Sequence, residues 1–245
     1  MTMTTRTRWT AASSAAIGAV LVAGLAAAPH GAPAHAASNP SPSNFTAPKA
    51  NAYFPLTPGL VVRYRGTDGE QSLHSRFAVT SRTKTIQGVK TKVIRDVLRR
   101  ADGSVAEATT DWYADDNAGN AWYFGENTAT YRPNGTVESR EGSWQAGVSG
   151  AVAGIIMPAN PHPTQAYRQE FWRGHAEDQA WIVQRGGTVR VAAGTYTRVV
   201  RSYEWSRLEK PVVSLKFYAP GIGIIRERDV AGGHESFQLV SVTRP

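Results

Sequence analysis

From Tyr53 to the C-terminal end, apolar and polar residues alternate with a period of two, and turn residues recur roughly every 8 to 14 positions. No long stretch holds the i, i+3, i+4 stripe of an amphipathic helix. The alternation predicts strands at 60–65, 73–82, 89–100, 105–113, 121–124, 128–132, 166–172, 179–184, 188–191, 197–205, 212–218, 222–228 and 235–242. Asp102-Gly103, Pro133-Asn134-Gly135, Gly186-Gly187, Ala193-Gly194 and Gly232-Gly233 supply the tight turns between them. The expected fold is therefore all-β, a strongly curved antiparallel sheet or open half-barrel of about ten strands.

The pattern is mixed within single strands. In 89–100, Val93 and Val97 share a face with Arg95, while Ile94 and Leu98 share the other with Lys92. A strand that is apolar and charged on both faces suits a curved sheet with wet ends better than a tightly filled sandwich. Segment 142–163 breaks the period with Gly147, Gly150, Gly154, Pro158, Pro161 and Pro163, and is expected to form a long loop crossing the sheet. Loops of that length often serve as lids or binding elements.

The first 50 residues differ in kind. Arg6 and Arg8 precede an apolar run at 15–28, and Ala34-His35-Ala36 offers small residues for cleavage, so 1–36 reads as a secretory signal peptide. Residues 37–50, rich in Ser, Pro, Asn and Ala, read as a flexible linker, and 51–245 as a single antiparallel β domain. The apolar run is too short to span a bilayer and no later stretch approaches 18 apolar residues, so no transmembrane segment is expected. These features predict a secreted, extracellular monomer.

Composition narrows the chemistry. Among 245 residues there is no cysteine, which excludes disulfides, a thiol nucleophile and cysteine-ligated metal centres. Without Arg6 and Arg8 the remaining 25 basic and 19 acidic residues leave a net charge of +6. That balance suits an anionic cell-wall polymer as partner, while the scattered cations and the lack of a helix-borne basic stripe argue against nucleic acid. No G-x-S-x-G elbow, P-loop or H-E-x-x-H occurs, and His74, His162, His175 and His234 lack near neighbours of their own kind.

Three constellations remain. Asp115, Asn117 and Gly119 imitate part of a calcium loop, with Glu126 at its twelfth position, but no helices flank them and an Asx-rich hairpin turn has the same composition. We expect no bound metal and no cofactor. Period two places Arg168, Glu170 and Trp172 on one face, making Arg168 and Glu170 neighbours. Glycoside hydrolysis needs two carboxylates in different environments, and Glu170, Asp111, Glu177 and Asp178 are the candidates for such catalysis. Trp112, Trp122, Trp144, Tyr167, Arg168 and Trp172 are the candidates to line a ligand cup, since indoles hold apolar molecules and stack on sugar rings.

Near the C-terminal end, Ala193-Gly194-Thr195-Tyr196 and Tyr218-Ala219-Pro220-Gly221-Ile222-Gly223 form two glycine turns around one strand. This pairing resembles secreted and envelope proteins of bacteria that are similar to the lipoprotein-carrier superfamily, and segments 111–126 and 167–178 resemble stretches of secreted actinobacterial proteins. The resemblance covers the last ~50 residues and implies a curved antiparallel sheet that opens a hydrophobic cup around a helix or plug; it carries over no functional residue. No strong plug helix appears in this sequence, and segment 142–163 would have to take its place. The expected function is a secreted, non-enzymatic protein that binds an apolar or amphipathic small ligand, lipid-like ones included, in the Trp/Tyr-lined cup. The alternatives are a carboxylate-dependent hydrolase or carbohydrate-active protein, and a basic module associated with the cell wall.

Overall fold

The structure, a computed structural model, describes residues 38–209 and 211–245. The expected signal peptide lies outside the described residues. A short 3-10 helix, Pro42–Phe45, precedes β1 (Val61–Asp68), β2 (Gln71–Ile86), β3 (Val89–Arg100), β4 (Val105–Asp115), β5 (Ala121–Tyr131), β6 (Val137–Ser139), β7 (Trp144–Gln145) and β8 (Val152–Met157). Then follow β9 (Ala166–Arg168), β10 (Glu170–Phe171), β11 (Asp178–Val191), β12 (Gly194–Ser206), β13 (Val213–Ala219), β14 (Gly223–Ala231) and β15 (Glu235–Thr243). The all-β class follows from the alternation, but the sheet has fifteen strands rather than about ten. Segment 142–163, expected as a crossing loop, contributes β7 and β8, with Ile156 and Met157 fully buried.

Two antiparallel meanders make the sheet, one running from β1 to β5 and on to β8 and β10, the other from β15 back to β11 and β9. They join where β1 pairs with β15. The far edges meet through the chain itself: β9 pairs with β11, β10 pairs with β8, and Gln169 alone separates them in sequence. This nearly closes the barrel and protects both edges. Gly154 of β8 makes the closure possible, because a Cβ there would lie 2.4 Å from the carbonyl carbon and oxygen of Gln169.

The partner switch at Gln169 also corrects one expectation. Gln169 and Glu170 are both buried, so the period breaks, and Arg168 stays exposed with its guanidinium 4.5 Å over the Phe171 ring. Arg168 and Glu170 therefore do not share a face.

From Ser38 onward, the stretch expected as linker lies against the sheet. Asn39 accepts from the Ala153 amide at 2.9 Å, and Phe45 packs edge-on to Trp122 and Phe124 at 6.2 and 5.6 Å. Long hairpins fold back in a similar way. Strands β11 and β12 lose register three times between Ile182 and Val189, which bends their tip. The Arg190 carbonyl then accepts from Arg226 at 2.6 Å and the Ala193 amide donates to Leu239 O at 3.1 Å, so the tip covers β14 and β15. Both faces of β13 are buried as a result, from Leu215 to Ala219.

Candidate functional site

Register decides which charged residues enter the barrel. Glu107, Thr109, Asp111 and Tyr113 alternate along β4 and are buried, facing Thr130, Thr128, Glu126 and Tyr123 of β5. The bulge that brings Glu126 opposite Asp111 depends on Gly125, whose φ of 125° suits glycine and whose missing side chain admits the Trp144 carbonyl. Tyr113 and Tyr123 stack at 4.6 Å, and the Tyr123 hydroxyl donates to Asp111 at 3.0 Å. Beside them the Ser75 hydroxyl donates to Asp96 at 3.0 Å.

The opposite wall carries a second network. Glu204 accepts from Ser202, Tyr218 and Gln169 at 2.7, 2.6 and 3.0 Å. Lys216 reaches Glu204 at 3.2 Å and Glu227 at 3.4 Å, and it is the one buried cation among the described residues. Burial alone would lower the Lys216 pKa, but the charges of Glu204 and Glu227 hold it above the ordinary lysine value. The carboxylic acids shift the other way. Burial, aided by the charge of Glu107 against the Ser75 hydrogen bond, pushes Asp96 up to about 7. Burial and Asp96 raise Asp111, and burial and Glu170 raise Asp178.

Of the catalytic candidates, Asp111, Glu170 and Asp178 thus belong to the barrel interior. Glu177 sits apart in the turn after β10, where it accepts from the Gly174 amide at 2.9 Å and lies 3.7 Å from Arg207. Asp96, Glu204, Lys216 and Glu227, none of them a sequence candidate, complete the interior. Their signal was a charged residue at a single inward position of an otherwise alternating strand, which reads in sequence as solvent exposure.

The ligand candidates lie on neighbouring strands, each with packing partners of its own. Trp112 lies under the Lys84 ammonium at 3.4 Å, and Trp144 meets Tyr123 edge-on at 5.3 Å. Trp122 donates to Asp116 at 2.8 Å beneath Phe45, while Trp172 stacks on His175 at 3.9 Å. Tyr167 is half-buried on β9, and Arg168 covers Phe171. At the Asx-rich turn Asp115 accepts from the Asn51 amide at 3.3 Å and Asn117 from the Ala47 amide at 2.7 Å. Asp116 accepts from the Ala118 and Asn120 amides, the Asn120 side chain and Trp122 at 2.8 to 2.9 Å. Among the described residues no three acids or histidines are grouped to hold a metal.

A different concavity lies on the outside of the barrel, where the β11–β12 tip overhangs the sheet. It measures about 960 Å³ and is lined by Arg65, Arg190, Arg201, Arg226 and Arg228, with no carboxylate in its lining. Pairing sets the cations in register: Arg201, Phe217, Arg226, Gln238 and Arg65 are successive neighbours across β12, β13, β14, β15 and β1. The Arg201 and Arg226 guanidinium carbons lie 5.1 and 5.9 Å from the Phe217 ring, which holds both side chains over an apolar floor. None of the five arginines forms an ion pair with a carboxylate among the described residues. The Arg201 Nε is buried without a hydrogen-bond partner. Such a groove presents positive charge beside an apolar ring, the chemical complement of an anion next to an apolar or ring-shaped group.

Fold and site together define a β-barrel whose largely apolar core holds several buried acids and one lysine, with an arginine-lined groove outside. No protein-family model and no curated protein sequence matches the chain. Two crystal structures are similar to it in fold. One is a candidate exported protein with a YmcC-like fold from Bacteroides fragilis, 13% identical, covering 80% of this chain and 100% of its own, with a TM-score of 0.46. The other is a candidate lipoprotein from Parabacteroides distasonis, also 13% identical over 80% of this chain and 100% of its own, with a TM-score of 0.42.

Proposed function

We propose that the protein is a secreted, non-enzymatic binding protein whose ligand is anionic and amphipathic, held in the outer arginine groove rather than in a Trp/Tyr cup. The observation that carries this reading is the set of five arginines that share one groove without a carboxylate partner. Unneutralised like charges repel one another, and a ligand bringing negative charge removes that cost while satisfying the Arg201 Nε. Leu215 and Phe217, largely buried, form an apolar floor beneath the arginines. The lipid-like ligand of the carrier resemblance and the anionic wall polymer of the basic-module reading both meet these chemical terms.

The test is calorimetric titration with glucuronate and pyrophosphate at low salt. Wild type is expected to bind at least one of them, with affinity falling as salt rises. The Arg201→Gln/Arg226→Gln variant is expected to lose about tenfold or more in affinity, as removal of charge-assisted contacts does, with circular dichroism checking that the fold persists without the Arg226–Arg190 contact. Equal binding by the variant, or no binding by wild type, refutes the groove as an anion site.

A further inference from the structure

The cationic row has a neighbour. Two residues away along the strands, Trp181, Tyr203, Leu215, Arg228, Ser236 and Thr67 form a second row across β11, β12, β13, β14, β15 and β1. Leu215, Arg228, Ser236 and Thr67 line the groove, so Trp181 and Tyr203 extend its floor beyond the end of the concavity. Their rings lie 6.5 Å apart, and Trp181 is 43% exposed, a large indole left open to solvent. An exposed indole beside a half-buried tyrosine, continuing a charged groove, is a stacking platform for the next unit of a chain.

Spacing constrains that chain. In the first row the arginines occupy alternate strands, and with strands about 4.8 Å apart they recur every ~10 Å. A nucleic-acid strand carries a charge on every nucleotide, whereas this row presents one cation on every second strand. A polymer of rings with an acid on only some of them matches the wide spacing along that row and the aromatic platform beside it, with Arg190 and Arg228 flanking the row. We infer that the groove and the Trp181–Tyr203 platform bind an extended acidic glycan, a linear chain of sugar rings with carboxylates at wide intervals. This inference rests on the groove being an anion site.

Hyaluronan oligosaccharides, which carry one carboxylate on every second ring, are the probe, in a length series starting from free glucuronate. Affinity is expected to rise with length through multivalency and to level off once the oligomer spans ~20–30 Å, the width of five to seven strands. Trp181→Ala is expected to weaken the long oligomers by roughly tenfold, the order of one lost stacking contact, and to leave glucuronate binding unchanged. Circular dichroism of the variant checks that the fold persists. Affinity independent of length, or an oligomer that ignores Trp181→Ala, overturns the glycan inference while glucuronate binding keeps the anion groove intact. Equal or tighter binding of oligothymidylate of the same span overturns it in favour of nucleic acid. Failure of the Arg201→Gln/Arg226→Gln variant to weaken any of these probes removes the groove itself.

Discussion

Asp96 offers a direct measure of what a carboxyl costs inside this barrel. It is 4% exposed, between Ile94 and Leu98 on the inner side of β3, and accepts from Ser75 at 3.0 Å. Burial moves its pKa from 3.8 to about 7, so the folded chain keeps a proton that the unfolded chain has already released. The folded state binds more protons between those values. Stability contributed at this site is therefore highest near pH 4, falls as pH rises towards 7, and is level above that. A shift of about 3 pH units corresponds to ~4 kcal/mol. Asp96→Asn keeps the shape and the oxygen that accepts from Ser75 but has no proton to lose. It is expected to be more stable than wild type by ~2–4 kcal/mol at pH 8 and to match it within ~1 kcal/mol at pH 4. For a domain of this size that is roughly 4–16 °C in Tm at pH 8. Urea unfolding followed by tryptophan fluorescence, at half-unit steps from pH 4 to 8, reads the difference. A difference that stays constant across the range would show that Asp96 titrates normally and that the inner face is wet.

Lys216→Met removes the cation between Glu204 and Glu227 and is expected to cost ~3–5 kcal/mol in urea unfolding, with part of the loss restored by Glu204→Gln on the same background. Full stability of the single variant would mean those acids are protonated without it. Gly154→Ala pushes against the Gln169 backbone and is expected to cost ~1–3 kcal/mol, with faster amide exchange confined to 166–171; unchanged exchange there would disprove the closure role. Asp116→Ala strands four donors and is expected to cost ~1–3 kcal/mol, whereas millimolar calcium leaves the wild-type Tm unmoved; a calcium-induced rise would identify the turn as a metal site after all.

The period of two, the glycine turns and the absence of a helical stripe were enough to give an antiparallel sheet, because each records a local backbone preference. β3 shows where that information stops. Its sequence reveals that Ile94, Asp96 and Leu98 share a face, yet nothing local tells whether the acid meets water or another strand. Closure at Gln169 decides it, by joining strands from opposite ends of the sheet, and the same break in period undid the expected Arg168–Glu170 pair. The six aromatic and cationic ligand candidates were grouped by residue type; they fall on β4, β5, β7 and the segment around β9 and β10, where register gives each its own packing partners. The arginine groove was hidden for the same reason in reverse: Arg65, Arg190, Arg201, Arg226 and Arg228 come from four strands spread over the chain, and their side chains meet only because cross-strand pairing aligns them and three register shifts fold the β11–β12 tip above them. Alternation specifies which residues point together along one strand; which strands lie side by side is set by the burial and hydrogen bonding of the whole sheet, and the site exists only at that level.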